Sequence, residues 1–92
     1  MAAPVARKVA AYGRVQGVLY RQWTVHQADA LGVRGWVHNA RDGSVQAHVE
    51  GQEEAVGRLI EAMRRGSPQA RVDDFTVEDT EPQDIIGFSV RL

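Results

Sequence analysis

Cysteine is absent from the 92-residue chain. Without thiols the chain forms neither a disulfide framework nor a thiolate metal site, so a domain of this size must be held together by its apolar core. The sequence also lacks any run of about 18 apolar residues and any apolar stretch near its amino terminus, which argues against a membrane-spanning helix and a secretion signal. We therefore expect a cytoplasmic protein without a membrane partner.

An excess of charge of one sign is missing as well, because 11 basic residues nearly balance 12 acidic ones. Nucleic-acid binding depends on clustered basic side chains that release counterions, so we expect no nucleic-acid partner. Hydrophobic residues make up 43% of the chain, which is typical of a globular protein. The length suits one domain, which we place at residues 7–92, preceded by a flexible tail at residues 1–6. We expect a monomer.

Two helices are predicted from glycine positions and apolar spacing. The stretch from Tyr20 to Leu31 contains no glycine or proline and is followed by Gly32, a common helix terminator. The stretch from Glu53 to Arg65 is followed by Gly66. Its apolar residues follow the i, i+3, i+4, i+7 spacing of a helix with one buried face: Val56, Leu59, Ile60 and Met63.

Strands are predicted at residues 7–15, 33–40, 44–50, 70–77 and 88–92, and the second and third form a hairpin around Arg41-Asp42-Gly43. A three-residue loop places the apolar partners on one face of the sheet, whereas a two-residue loop mixes the faces. We therefore predict the three-residue loop. The resulting cross-strand pairs are Asn39 with Val45, Val37 with Ala47, Gly35 with Val49, and Arg34 with Glu50.

The order of these elements predicts the fold class. Strand, helix, strand, strand, helix and strand follow one another, with a short fifth strand split from the last. This order is typical of an α+β, ferredoxin-like split βαβ (βαββαβ) sandwich, in which an antiparallel sheet carries both helices on one face.

The segment from Gly13 to Arg21 joins a strand to the start of a helix. Backbone N–H groups at a helix start lack intrahelical partners and favour anions, and glycines allow close approach of an oxyanion. The planar guanidinium of Arg21 suits two phosphate oxygens. On composition alone the segment is at least as well explained as a tight turn with Arg21 at the surface. It is not a Walker loop, because the lysine and Ser/Thr are missing.

Asn39 closes the second strand on the helix-covered face. The helix from Arg21 onward and the strand from Arg34 to Asn39 run in opposite directions over about 15 and 16 Å, so Asn39 returns beside Arg21. A neutral amide near phosphate can orient a water molecule without repelling the substrate. An asparagine that merely closes the hairpin is the equally open alternative.

Two segments carry a resemblance to a known family. Gly13 to Arg21 resembles the G-x-V-Q-G-V-x-[FY]-R loop of the acylphosphatases, and Gly35 to Val45 resembles their G-W-V-x-N-x-x-D-G-x-V hairpin. Weaker similarities at Gly66-Ser67-Pro68 and at Gly87-Phe88-Ser89-Val90 extend the resemblance over most of the chain.

The resemblance implies an enzyme that hydrolyses acyl phosphates to carboxylate and inorganic phosphate by direct attack of water, without metal, cofactor or covalent phosphoenzyme. It implies that Arg21 and Asn39 are the catalytic pair and that the substrate is a small molecule. It also implies that backbone N–H groups of one loop bind phosphate, at Gln16, Gly17, Val18, Leu19, Tyr20 and Arg21. Leu19, Tyr20 and His38 depart from the usual family residues, which bears on rate or substrate preference.

Other chemistry-bearing residues predict no further site. We interpret His38 and His48 as surface residues on the sheet face away from the helices, and no acidic cluster completes a metal site with them. The acidic residues of the fourth strand region are predicted to be solvated: Asp73, Asp74, Glu78 and Asp79.

Two other functions stay open at this point. One is a non-catalytic ferredoxin-like binding module, because a fold does not decide a function. The other is a carbamoyl-phosphate-handling domain of a larger maturation enzyme. The short length of the chain argues against this second alternative.

Overall fold

The computed structural model describes residues 3–92 and contains five strands and two helices. In chain order they are β1 (Val5–Arg14), α1 (Tyr20–Leu31), β2 (Arg34–Asn39), β3 (Val45–Gly51), α2 (Glu53–Arg65), β4 (Arg71–Thr80) and β5 (Phe88–Val90).

The first strand begins earlier than predicted. Val5 and Ala6, assigned to the tail from the sequence, belong to β1, where they pair with Gly51 and Glu50 of β3. Ala6 is buried by this pairing. Residues 1 and 2 of the predicted tail lie outside the described residues.

Both predicted helices are confirmed, with the same ends. Gly32, at φ 72°, closes α1 in the left-handed region, and its N–H donates to the carbonyl of Asp29. In α2 the first turn is acidic and the last turn is basic, an arrangement that complements the helix dipole. The four apolar residues predicted for its inner face are all buried: Val56, Leu59, Ile60 and Met63.

The sheet has the order β4-β1-β3-β2-β5. The β2–β3 hairpin has the predicted three-residue loop and the predicted register, including Asn39 opposite Val45 and Arg34 opposite Glu50. A hydrogen bond from the Ala40 N–H to the Ser44 carbonyl closes the turn at 2.8 Å.

The sheet is mixed, not wholly antiparallel as predicted. β5 runs parallel to β2, with Gly35 beside Phe88 and Val37 beside Val90. The seven residues 81–87 span about 23 Å when extended, and four strand spacings need about 19 Å. The connection therefore crosses one end of the sheet to its far edge, and β5 returns antiparallel to the distant β4. A three-residue strand carries no signal of its direction in the sequence.

The core lies between the sheet and the helices. α1 packs on β2 and β5, while α2 packs on β1, β3 and β4. One cluster of buried residues joins both helices to the sheet, including Tyr20, Val37, Ala47, Leu59 and Met63.

The other sheet face holds a buried polar cluster that contradicts the predicted surface position of His48. His48 and Glu50 are 3% and 0% exposed, and they contact each other at 2.6 Å. The reason is the connection 81–87, which crosses the end of the sheet on this side and donates the N–H groups of Gln83 and Ile85 to the Glu50 carboxylate. His38 is half-buried.

Candidate active site

The loop between β1 and α1 is fixed at both ends by buried side chains. Val15 and Tyr20 are each 1% exposed, and the Tyr20 hydroxyl donates to the Met63 carbonyl at the end of α2. Between them the chain turns through two left-handed residues, Gly17 at φ 75° and Leu19 at φ 62°. This conformation turns the chain from β1 into α1.

The loop leaves a set of backbone N–H groups free to bind an anion. Among residues 3–92, Trp23 is the first residue of α1 whose backbone N–H donates to a backbone carbonyl. The acceptor is the Leu19 carbonyl, at 3.0 Å. The preceding N–H groups, including those of Tyr20, Arg21 and Gln22 in the first turn of α1, have no backbone acceptor there. Several free donors at a helix start with nearby left-handed residues form an anion-binding concavity.

The side chain of Gln16 ties this loop to the β2–β3 hairpin. Its Nε2 donates to the carbonyls of Ala40 and Ser44, at 2.9 and 3.0 Å. Both acceptors lie immediately beyond the ends of the paired strands, and Ala40 directly follows Asn39. These two hydrogen bonds, named here the Gln16 clasp, therefore hold the loop beside Asn39. The sequence predicted Gln16 only as a backbone donor, and its side-chain role had no recognisable signal.

Arg21 lines a cavity of about 360 Å³, which is named here the Arg21 cavity. Its other lining residues include Gly17, Leu19, Val90 at the end of β5, and Leu92 beyond that strand. The Arg21 side chain is half-buried, and within the part of the chain that the structure describes it forms no ion pair. Its charge is thus available to a ligand. The contribution of β5 to this cavity was missed from the sequence.

Asn39 reaches the same end of the sheet. Val90 pairs with Val37, and Asn39 lies two residues further along β2, or about 7 Å at the rise of a strand. Asn39 is half-buried and is not itself a lining residue of the Arg21 cavity. Its Oδ1 is buried without a hydrogen-bond partner among residues 3–92. A buried acceptor left unpaired costs about 1–3 kcal/mol, and such groups call for a functional explanation.

Residues 3–92 contain no group of three His, Asp or Glu side chains able to hold a metal ion, and no helix long and apolar enough to cross a membrane. The chemical groups found at this end of the sheet include backbone donors, one guanidinium and one carboxamide.

Comparison with known proteins decides the family. The family model for acylphosphatase matches residues 7–90. The chain belongs to the acylphosphatase family. It is 48% identical over 85 residues to an acylphosphatase of Rhizorhabdus wittichii, covering 92% of this chain and 86% of that protein. An acylphosphatase of Anaeromyxobacter dehalogenans is 45% identical over 93 aligned positions, which cover all of both chains.

A solved structure supports the same assignment. The crystal structure of the acylphosphatase from Bacillus subtilis superposes with a TM-score of 0.92 at 34% identity, covering 96% of this chain and 99% of that one. The acylphosphatase match includes both segments on which the resemblance was based, and the ferredoxin-like fold is confirmed.

In this acylphosphatase the hairpin turn next to Asn39 is held by a carboxylate. The Asp42 Oδ1 accepts the Ser44 hydroxyl at 2.6 Å and the Ser44 N–H at 2.9 Å. These two hydrogen bonds lower the pKa of the Asp42 carboxyl. Ser44 is buried, and its carbonyl also accepts from Gln16. The turn, the Gln16 clasp and the loop therefore form one connected unit.

Proposed function

We propose that this chain hydrolyses acyl phosphates to a carboxylate and inorganic phosphate by direct, in-line attack of water. Membership of the acylphosphatase family supports the reaction. The observation that carries the mechanism is the set of free backbone donors at the start of α1, beside the Arg21 guanidinium and clasped to the hairpin that bears Asn39.

The loop and Arg21 would hold the phosphoryl group. Backbone N–H groups of residues 16–21 can point at its non-bridging oxygens, and the helix start adds roughly half a positive charge. Arg21 can donate two parallel hydrogen bonds to two of those oxygens. Fixed donors of this kind stabilise charge in a phosphoryl-transfer transition state without reorganising during the reaction.

Asn39 would hold the attacking water. Its carboxamide oxygen can accept a hydrogen bond from the water, and its NH₂ group can donate to a phosphoryl oxygen. A neutral group does this without repelling an anionic substrate. The buried Oδ1 has no protein partner among the described residues, so its acceptor capacity is not used elsewhere.

Water is the proposed nucleophile because no residue of 3–92 that lines the Arg21 cavity offers a side chain for that role. Among these lining residues only Tyr20 has a hydroxyl, and it donates to the Met63 carbonyl. Burial raises the pKa of Tyr20, which keeps the phenol neutral.

The bond changes balance without a general base. The water oxygen bonds to phosphorus while the bond from phosphorus to the acyl oxygen breaks, and the carboxylate leaves with the electron pair. A phosphoryl oxygen takes the proton released by the water. A carboxylate is a good leaving group, so no protein acid is needed to protonate it.

The activity test compares wild type with Arg21→Ala on benzoyl phosphate, followed by the loss of its absorbance. Loss of one fixed donor to transition-state charge costs about 100- to 1,000-fold, and we expect kcat/KM of Arg21→Ala to fall at least that far. Arg58→Ala is the matched control, because Arg58 lies on α2, is exposed and pairs with Glu54. Wild-type protein without hydrolysis would favour a non-catalytic binding module.

We further propose that the protein acts as a cytoplasmic monomer on a small-molecule substrate, without a nucleic-acid partner. The near balance of 11 basic and 12 acidic residues supports the absence of a nucleic-acid partner. Light scattering on the purified protein tests the monomer, and a dimer mass would contradict it.

A further inference from the structure

A second cavity of about 350 Å³ adjoins the Arg21 cavity, and we name it the Trp23 cavity. Leu19 and Gln22 line both cavities. The wall of the Trp23 cavity is completed by α1, through Trp23 and His26, and by the segment after α2 that contains Ser67 and Pro68. Its volume lies at the lower end of the range of about 300–1,000 Å³ for small-molecule pockets.

The two cavities extend from the loop between β1 and α1 toward opposite edges of the sheet. The Arg21 cavity reaches Val90 and Leu92 at the β5 edge, the side on which Asn39 lies. The Trp23 cavity reaches residues 67–69, which lead into β4 at the other edge. In an in-line displacement the nucleophile and the leaving group lie on opposite sides of phosphorus. If the attacking water lies on the Asn39 side of phosphorus, the carboxylate leaves on the side of the Trp23 cavity.

The chemistry of the Trp23 cavity suits an uncharged group. Most of its surface is apolar, from Val18, Leu19, Trp23 and Pro68, and none of its lining residues within 3–92 is Asp, Glu, Lys or Arg. One polar group is unexplained by the fold. Ser67 is 8% exposed, and its Oγ is buried without a hydrogen-bond partner in residues 3–92.

We propose that the Trp23 cavity binds the acyl group of the substrate, and that the preferred acyl phosphates carry an apolar acyl group of aromatic size. This inference rests on the proposed function and adds the substrate class. Trp23 forms the flat apolar wall against which the acyl group packs. Among the residues of 3–92 that line the Trp23 cavity, only Ser67 has a hydroxyl.

The test compares kcat/KM for benzoyl phosphate and acetyl phosphate, which share the reacting phosphoryl group and differ in the acyl group. Wild type should prefer benzoyl phosphate. In Trp23→Ala the ratio of the two kcat/KM values should fall about tenfold, because the ring of the substrate loses its apolar contact. Leu31→Ala is the matched control, a truncation at the end of the same helix and outside the cavity, and it should leave the ratio unchanged.

A second variant keeps the proposal testable if Trp23→Ala fails to fold. Gln69 is exposed and lines the same cavity, so Gln69→Trp should fill the cavity without disturbing the core. It should raise KM for benzoyl phosphate several-fold more than KM for acetyl phosphate.

Two failures are distinguishable. A folded Trp23→Ala or Gln69→Trp protein that hydrolyses both substrates with the wild-type ratio overturns the acyl-binding role and leaves the proposed function intact. Wild-type protein that hydrolyses neither substrate contradicts the proposed function, and the acyl-binding role with it.

Discussion

At the scale of single residues, Leu19 is the one non-glycine residue with a positive φ in the loop between β1 and α1. Its φ of 62° lies in the left-handed region, where a side chain costs roughly 1–2 kcal/mol relative to glycine. The side chain is 65% exposed, so little of that cost returns as burial. Leu19 lines both the Arg21 cavity and the Trp23 cavity, so its side chain lies at the boundary between them.

We predict that Leu19→Gly raises the free energy of unfolding by about 0.5–1 kcal/mol, because glycine adopts the left-handed conformation without strain but loses more entropy on folding. Urea denaturation measures the change. Leu19→Ala is the control that removes the side chain and keeps the strain, and it should not be stabilised. Equal stabilisation of both variants would show that the side chain, not the backbone, carries the cost.

At this scale the sequence singles out residues that depart from a local rule. Arg21 and Asn39 stood out because a charged group at a helix start and an amide on an apolar face are unusual. The side chains of Gln16 and Glu50 did not stand out. Each of them binds backbone groups 24 or more positions away, and a backbone donor or acceptor has no residue type that the sequence could reveal.

At the scale of elements, the loop and the hairpin act together through the Gln16 clasp. Two hydrogen bonds of 2.9 and 3.0 Å join them. We predict that Gln16→Ala lowers kcat/KM for benzoyl phosphate by about 10- to 100-fold, because displacement of a catalytic group by about 1 Å has costs of that order.

The control for this prediction is Gln46→Ala. Gln46 lies on the neighbouring strand β3, and its side chain contacts His38 on the outer face of the sheet. Steady-state kinetics of both variants, with thermal melts to confirm folding, separate positioning from stability. Wild-type kcat/KM in Gln16→Ala would show that the loop holds its shape without the clasp.

The elements themselves were largely predictable. Both helices end at glycines, and the hairpin register followed from keeping apolar partners on one face. The direction of β5 was not predictable, since the alternation of apolar residues indicates which face of a strand is buried and not the direction in which the strand runs. It depends on where the connection 81–87 crosses the sheet, which is a property of the whole chain.

At the scale of the whole molecule, Glu50 fastens that connection to the sheet. Its carboxylate accepts from His48 at 2.6 Å and from the N–H groups of Gln83 and Ile85 at 2.7 and 3.1 Å, with Arg34 at 3.6 Å. Burial alone would raise the pKa of Glu50, but the hydrogen bonds outweigh it and lower the pKa below its ordinary value. The connection in turn positions β5, which lines the Arg21 cavity.

A lowered pKa in the folded state means that the carboxylate stabilises the fold above the ordinary pKa of glutamate, and that this contribution is lost as the pH falls through the lower folded value. We predict a steeper acid loss of stability for wild type than for Glu50→Gln, measured by denaturation between about pH 6 and pH 3. At neutral pH, Glu50→Gln should be less stable by about 1–3 kcal/mol, because an NH₂ group replaces one of the two accepting oxygens and leaves a buried donor without its acceptor.

The control is Glu54→Gln, which removes an exposed carboxylate paired with Arg58 and should change stability by less than about 1 kcal/mol. Parallel pH profiles for wild type and Glu50→Gln would contradict the role of Glu50 in holding the connection.

The most direct test of the proposed mechanism is the effect of Asn39→Ala on two quantities measured with the same protein, kcat for benzoyl phosphate and the inhibition constant of inorganic phosphate. If Asn39 places the attacking water while the loop and Arg21 hold the phosphate, kcat falls by about 100-fold or more and the inhibition constant changes by less than about threefold. A variant with wild-type kcat and weakened phosphate inhibition would contradict this division of roles.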